Sequence, residues 1–180
     1  MKADVLMLVE SSAIILPTDF LKTKLFIESI MDQSVMGQDA LQLGVVQYGS
    51  QPQLVFPLSY DSSEMREKIE AMRELGGGTE TGKALRYVSQ LFDEGRLGVP
   101  KVLIVVSEGK SQDEVADAAD MLWHKGVTIY SIGIGSANSK QMARLVHGIT
   151  DNYFFLRNFT ELKSVSGKIM AGICHVNEGL

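Results

Sequence analysis

The stretch Asp4-Val-Leu-Met-Leu-Val-Glu-Ser-Ser-Ala-Ile14 decides how the rest of the chain is interpreted. It is apolar at every position from Val5 to Val9 and turns polar at Glu10. An apolar run without alternation is typical of a strand that is buried on both faces of a parallel sheet. Ligands of such sheets bind beyond the carboxyl ends of the strands. We therefore expect Glu10 and the residues after it to lie where a ligand would be held.

The remaining chain alternates apolar runs with amphipathic segments. Further strands are predicted at 41–49, 53–58, 101–106, 127–134 and 152–156, and helices at about 17–37, 62–75, 82–92, 113–125, 139–147 and after 159. Only residues 50–52 separate the second and third strands, which is too short for a helical crossover, so this pair is expected to be antiparallel. Pro57 places the third strand at an edge, because proline cannot donate a ladder hydrogen bond. The predicted fold class is α/β, with a doubly wound, mostly parallel sheet, one antiparallel edge strand and helices on both faces.

Size and composition are those of one globular domain, which we expect to span 1–180 and to be excised from a larger multidomain chain. The net charge of -5 offers no basic face, so nucleic acid is not an expected partner. Nothing resembles a signal peptide, and no apolar run approaches the ~18 residues of a membrane span. We therefore expect no membrane insertion.

The cysteine and the histidines give little support to an enzyme. Cys174 is the only cysteine, which excludes an intrachain disulfide. We expect a packed thiol in the last helix or, in an extracellular parent protein, an interdomain or interchain disulfide. His124, His147 and His175 are scattered, and solvated or capping roles are expected for them. No serine or cysteine nucleophile is placed near a histidine and an acid in a recognisable pattern, so we expect no catalytic residues.

The glycine-rich loop before the predicted 82–92 helix comes close to a phosphate-binding motif. Gly77-x-x-x-x-Gly82-Lys83-Ala84 has alanine where that motif needs the hydroxyl of Ser or Thr for magnesium. A charged helix, rather than a strand, is predicted to precede the loop. A nucleotide-binding enzyme is therefore only a remote alternative.

Oxygen-bearing side chains converge at the predicted carboxyl edge of the sheet. Glu10 and Ser12 follow the first strand, Glu108 follows the central strand, and Thr79 and Thr81 lie in the glycine loop. Clustered carboxylates and hydroxyls are the ligand types that suit magnesium, calcium or manganese. A divalent metal site at this edge of the sheet is therefore the main candidate for a functional site.

Six stretches taken together resemble a von Willebrand factor type A domain. They are Asp4–Ile14, Leu43–Tyr48, Gly77–Leu85, Val102–Ser111, Gly126–Ile134 and Phe159–Leu162. The resemblance covers nearly the whole chain in the right order. It implies a Rossmann-like sheet with an antiparallel edge strand, as the periodicity already indicated.

The metal-ion-dependent adhesion site of that family is incomplete in this sequence. The resemblance puts Glu10 in place of the first aspartate, while Ser12 and Thr79 match the pattern. Ile14 replaces the second serine, and Glu108 replaces the last aspartate. Ile14 removes an oxygen ligand, and each aspartate-to-glutamate change moves a carboxylate by about 1 Å in a site that tolerates a few tenths. We therefore expect no resident metal and no cofactor, with weak binding of Mg or Ca at the degenerate site left open.

The resemblance implies a secreted, noncatalytic protein-interaction module of the extracellular matrix, of the collagen VI type, that contributes to microfibril assembly and cell or matrix adhesion. Its expected partners are other matrix proteins and neighbouring type A domains. The alternative is a metal-dependent adhesion domain that binds an acidic ligand residue through Mg. Asn158-Phe159-Thr160 is an N-glycosylation sequon, although Asn158 could also serve to begin the last helix.

Overall fold

The computed structural model of the chain describes residues 1–178, with side chains to residue 175. Its strands are β1 (Ala3–Glu10), β2 (Leu41–Tyr48), β3 (Pro52–Ser59), β4 (Lys101–Ser107), β5 (Val127–Ile134) and β6 (Tyr153–Leu156). Its helices are α1 (Pro17–Asp32), α2 (Ser62–Glu70), α3 (Thr81–Phe92), α4 (Ala116–His124), α5 (Ser139–Arg144) and α6 (Ser166–Glu178). Short 3-10 helices span Thr150–Asn152 and Phe159–Ser164.

The six strands form one sheet in the order β3-β2-β1-β4-β5-β6. Every neighbouring pair is parallel except β2 and β3, which are antiparallel. β1 is paired on both sides, and all eight of its residues are buried. The predicted α/β class, the central first strand and the antiparallel edge strand are confirmed.

Side chains of β1 alternate between two separate apolar cores. Val5 and Met7 pack in the core that contains residues of α1, α2 and α6. Leu6 and Leu8 pack in the core that contains residues of α3, α4 and α5. Helices therefore cover both faces, which explains why β1 shows no polar alternation. Within residues 1–178, no helix is long and apolar enough to cross a membrane.

The amino end of β1 carries a buried charge. Asp4 is fully buried and accepts hydrogen bonds at 2.8 Å from the backbone N–H and the Nε of Arg96 and from Nζ of Lys101. Arg96 also donates to the carbonyls of Ala3 and Ala40. This cluster ties the connection between α3 and β4 to the bottom of the sheet.

Helix α2 is shorter than predicted. It ends at Glu70 instead of near Leu75, because Nζ of Lys24 on α1 binds the carbonyls of Glu70 and Met72 where the chain leaves the helix. Its amino end is capped by Asp61, not by a serine, through a 3.2 Å hydrogen bond from the Glu64 N–H.

The predicted bounds of three other helices also differ from the structure. α1 ends at Asp32 and not near residue 37, and α5 ends at Arg144 and not near His147. α4 begins at Ala116 and not at Asp113, because the Asp113 carboxylate binds backbone N–H groups of α3 instead. The start of α4 is thus set by a contact between distant segments.

Candidate functional site

The Glu10 carboxylate lies at the carboxyl end of β1 and is 2% exposed. Its Oε2 accepts hydrogen bonds from the hydroxyls of Ser12 at 2.6 Å and Thr79 at 3.1 Å. The structure therefore brings together three of the residues predicted to converge here. Each hydroxyl donates its single proton to Glu10, which leaves its oxygen lone pairs available.

The second oxygen of Glu10 is held by the last residue of β4 and the turn that follows it. Oε1 accepts from the Ser107 hydroxyl at 2.8 Å, the Gly109 N–H at 2.9 Å and the Glu108 N–H at 3.1 Å. With the two hydroxyls on Oε2, five protein donors surround a carboxylate that has about four lone-pair positions. Each lone-pair position of the Glu10 carboxylate therefore has a protein donor beside it.

The end of the Ile14 side chain lies beside this cluster. A β-carbon on Gly109 would lie 2.8 Å from Oγ1 of Thr79, 3.0 Å from Oε2 of Glu10 and 3.1 Å from Cδ1 of Ile14. These three atoms therefore surround one point, although Ile14 as a whole is 50% exposed. A methyl group stands next to the oxygens where the adhesion-site pattern has a serine hydroxyl.

The carboxylate of Glu108 does not join Glu10. Its Oε1 lies near Gly135, since a β-carbon there would be 3.5 Å away, and its Oε2 is buried without a hydrogen-bond partner. Burial raises the pKa of Glu108, and the negative charges of Asp19 and Glu10 raise it further. Only the backbone of Glu108 contributes to the cluster.

The hydroxyl of Thr81 does not join the predicted cluster around Glu10. Its hydroxyl lies 2.9 Å from the hydroxyl of Tyr48 at the end of β2. Burial and the nearby charge of Glu10 raise the pKa of the Tyr48 phenol, so it is neutral at physiological pH. Sequence reasoning assigned Tyr48 only to a strand. The signal in the sequence was the hydroxyl that Tyr48 places at the end of a buried strand.

The glycine loop does not present an open phosphate site. The Asp113 carboxylate accepts from the backbone N–H groups of Gly82 at 2.8 Å and Lys83 at 2.7 Å. These are N–H groups of the first turn of α3, which a phosphate would need. The chain therefore fills its own anion position, with Arg86 3.6 Å from the same carboxylate.

The histidines and the cysteine differ from expectation in two places. His147 lies just beyond α5 but is not solvated: Nε2 is 2.9 Å from Oδ1 of Asp120, and the ring stacks on Trp123 at 4.6 Å. The hydrogen bond from His147 lowers the pKa of Asp120, and Arg144 lowers it further.

Cys174 is exposed instead of packed, with Sγ 3.5 Å from the sulfur of Met1. Among the described residues, no group of three or more His, Cys, Asp and Glu side chains could hold a metal ion.

Comparison with other sequences places the chain among matrix proteins. The human collagen alpha-5(VI) chain is 36% identical over 183 residues, covering 99% of this chain and 7% of that protein. Chicken matrilin-1 is 29% identical over 178 residues, covering 95% of this chain and 36% of that protein. This chain thus spans a small part of the collagen VI relative. Collagen VI chains and matrilins are secreted proteins of the extracellular matrix, which agrees with the location expected from the sequence.

Solved structures show the same fold. Proximal thread matrix protein 1 from the mussel byssus superposes with a TM-score of 0.88 at 24% identity, covering 97% of this chain and 48% of that chain. A second structure of that protein, with a zinc-occupied adhesion-site motif, gives a TM-score of 0.85 at 25% identity, covering 93% and 46%. The model of the von Willebrand factor type A domain matches residues 4–168. The chain therefore belongs to the von Willebrand factor type A domain family.

Proposed function

We propose that this chain is a noncatalytic interaction module of the extracellular matrix whose adhesion-type site has lost its metal. The observation that carries the proposal is the position of Cδ1 of Ile14 beside the Glu10 and Thr79 oxygens. Magnesium demands near-ideal octahedral coordination by oxygen. A methyl group cannot supply a ligand at that position.

The remaining donor set is too small for a magnesium site. Ser12 and Thr79 retain lone pairs, but the Glu10 carboxylate is surrounded by five donors and Glu108 is directed away from them. Two neutral hydroxyls cannot offset the dehydration of a divalent ion. The five positions of the degenerate site therefore support a structural role.

The test is to restore the missing ligands and titrate metal. Isothermal titration of the wild-type chain with Mg, Mn and Ca is expected to show no dissociation constant below about 1 mM. The triple variant Glu10→Asp, Ile14→Ser, Glu108→Asp is expected to gain Mg and Mn binding. Ile14→Ala is the matched control, since it removes the methyl group without adding an oxygen.

One result would overturn the proposal in favour of the alternative, a domain that binds an acidic ligand residue through Mg. That result is a wild-type dissociation constant below about 1 mM that Ser12→Ala abolishes. The zinc-occupied site of the mussel relative is the observation that favours this alternative.

For the parent protein we propose a tandem array of type A domains, of which residues 1–180 are one. The chain spans only 7% of the collagen alpha-5(VI) chain, so neighbouring domains and other matrix proteins are the proposed partners, in microfibril assembly and adhesion. The degenerate site, the lone cysteine and the closing segment favour an N-terminal domain of the collagen VI alpha-3 chain. Binding of this domain to adjacent type A domains, measured by surface plasmon resonance, tests the partner assignment.

We also propose that Asn158 carries an N-linked glycan. Its side chain is exposed and caps the 3-10 helix Phe159–Ser164 by accepting from the Thr160 N–H at 3.0 Å. Secretion from mammalian cells is expected to give a mass that falls on treatment with peptide N-glycosidase. Asn158→Gln should be secreted without that mass, and an unchanged wild-type mass would contradict the assignment.

The exposed thiol of Cys174 suits an interdomain or interchain disulfide, since it is not buried in the core of the domain. Secreted parent protein is expected to show a disulfide-linked species on non-reducing electrophoresis that is absent in Cys174→Ser. Identical migration of both proteins would contradict this pairing.

A further inference from the structure

An apolar groove of about 240 Å³ lies between α1 and the 3-10 helix Phe159–Ser164. Its apolar lining consists of Leu25, Phe26, Phe159 and Leu162. Three of these side chains are almost fully buried, whereas Leu25 is 55% exposed. The groove therefore offers a preformed apolar contact that solvent reaches.

The charge around the groove is opposite to that of the chain. Lys22 and Lys163 lie at the groove, and no carboxylate is among its lining residues, although the chain has a net charge of -5. Lys22 is 3.6 Å from Asp19, while the hydroxyls of Ser29 and Thr160 complete the lining. The complementary ligand is a large apolar side chain flanked by carboxylates.

The chain itself carries such a feature. Leu97 is 100% exposed in the connection between α3 and β4, followed by Gly98 with φ of +70°. Two exposed acidic residues, Asp93 and Glu94, precede it by four and three positions, and Asp93 pairs with Nζ of Lys125 at 3.1 Å. This fully exposed leucine, with the exposed acid Glu94 three positions before it, matches the groove in polarity and charge.

We propose that Leu97 of one copy inserts into the α1 groove of a second copy. Leu97 precedes β4 at the amino edge of the sheet, whereas the 3-10 helix follows β6 at the carboxyl edge. This separation favours a heterologous contact, in which each pair keeps one free groove and one free leucine for further copies.

One leucine and a few charges form a small interface, so the contact between free copies is weak. In a tandem array it becomes effectively intramolecular, with local concentrations of about 1 mM for short linkers. The inference rests on the proposed role as an interaction module, but it does not involve the metal position. Metal binding by the wild type would refute the proposed function and leave the self-contact untouched.

The test is self-association of residues 1–180 by sedimentation equilibrium and by NMR at concentrations up to about 1 mM. The apparent mass is expected to rise with concentration, and resonances of Leu25 and Leu97 to shift together. Leu97→Ser, and separately the pair Lys22→Glu and Lys163→Glu, should weaken association by at least about tenfold. Leu54→Ser is the matched control, since Leu54 is 37% exposed and lies on β3, at the end of the sheet opposite β6.

A charge exchange identifies the partner surface. Glu94→Lys should associate with the Lys22→Glu, Lys163→Glu variant better than either does with itself. A constant mass up to about 1 mM, or association that persists in Leu97→Ser, overturns the proposal. Leu97 is fully exposed, so loss of association in Leu97→Ser with an unchanged melting temperature cannot be assigned to unfolding.

Discussion

The hydroxyl of Ser12 donates to Oε2 of Glu10 at 2.6 Å across two positions of the chain. The same carboxylate accepts from Thr79 in the glycine loop, from Ser107 at the end of β4 and from Gly109 in the turn after it. Three loops that would otherwise surround a ligand are thus held together by one buried anion. The Glu10 carboxylate is therefore a point of attachment between these loops.

Glu10→Gln is expected to destabilise the fold by about 3 kcal/mol, because charge-assisted hydrogen bonds are lost and the amide nitrogen faces other donors. Unfolding in urea near neutral pH measures the change. The exposed Glu67→Gln on α2 is the control and should change stability by less than about 0.5 kcal/mol. Equal effects of the two substitutions would refute the structural role of Glu10.

Asp4→Asn is expected to lower the free energy of unfolding by about 3–5 kcal/mol. The reason is that Arg96 and Lys101 would keep their charges beside a buried site that has lost its counter-charge. Asp32, which pairs with Arg66 on the surface, provides the comparison. Asp32→Asn should cost less than about 1 kcal/mol. Denaturant midpoints for the two variants, at equal m-values, decide between these expectations.

Glu108 gives a pH-dependent prediction. Its folded pKa is raised by burial and by Asp19 and Glu10, so its contribution to stability is present below the unfolded pKa near 4.5 and is lost as pH rises through the folded value. Glu108→Gln stays neutral and should therefore be more stable than the wild type at about pH 7, with the difference vanishing toward about pH 4. Urea titrations at several pH values measure it, and a difference that grows on acidification would contradict it.

Asp113→Ala is expected to destabilise the domain by about 1–2 kcal/mol, because the N–H groups of Gly82 and Lys83 lose their cap. Because the Asp113 carboxylate occupies the position that a phosphate would take, ATP and GTP are expected to leave the melting temperature of the wild type unchanged. A nucleotide-induced shift that is lost in Lys83→Ala would revive the nucleotide-binding alternative.

The sheet was predictable from sequence because its signals are local. Continuous apolar runs identify strands buried on both faces, and the short 50–52 connection requires an antiparallel pair. The placement of Glu10 and Ser12 beside the end of β4 followed from strand direction, since carboxyl ends of parallel strands share one edge.

What sequence could not predict depends on contacts between distant segments. The direction of the Glu108 carboxylate, the pairing of Thr81 with Tyr48, and the stacking of His147 on Trp123 are set by tertiary packing. The late start of α4 has the same origin, because Asp113 would be a good local helix start but binds α3 instead. Local propensity gives way to such contacts.

The two buried carboxylates at the ends of β1 have a consequence for strand alignment. Because β1 is apolar toward both cores, a slip along its neighbours would cost little in hydrophobic burial, so pattern alone specifies its register weakly. A slip in either direction would instead draw Asp4 or Glu10 away from its donors and into the apolar interior. The two carboxylates therefore fix the register of β1, and with it the alignment of the strands that pair with it.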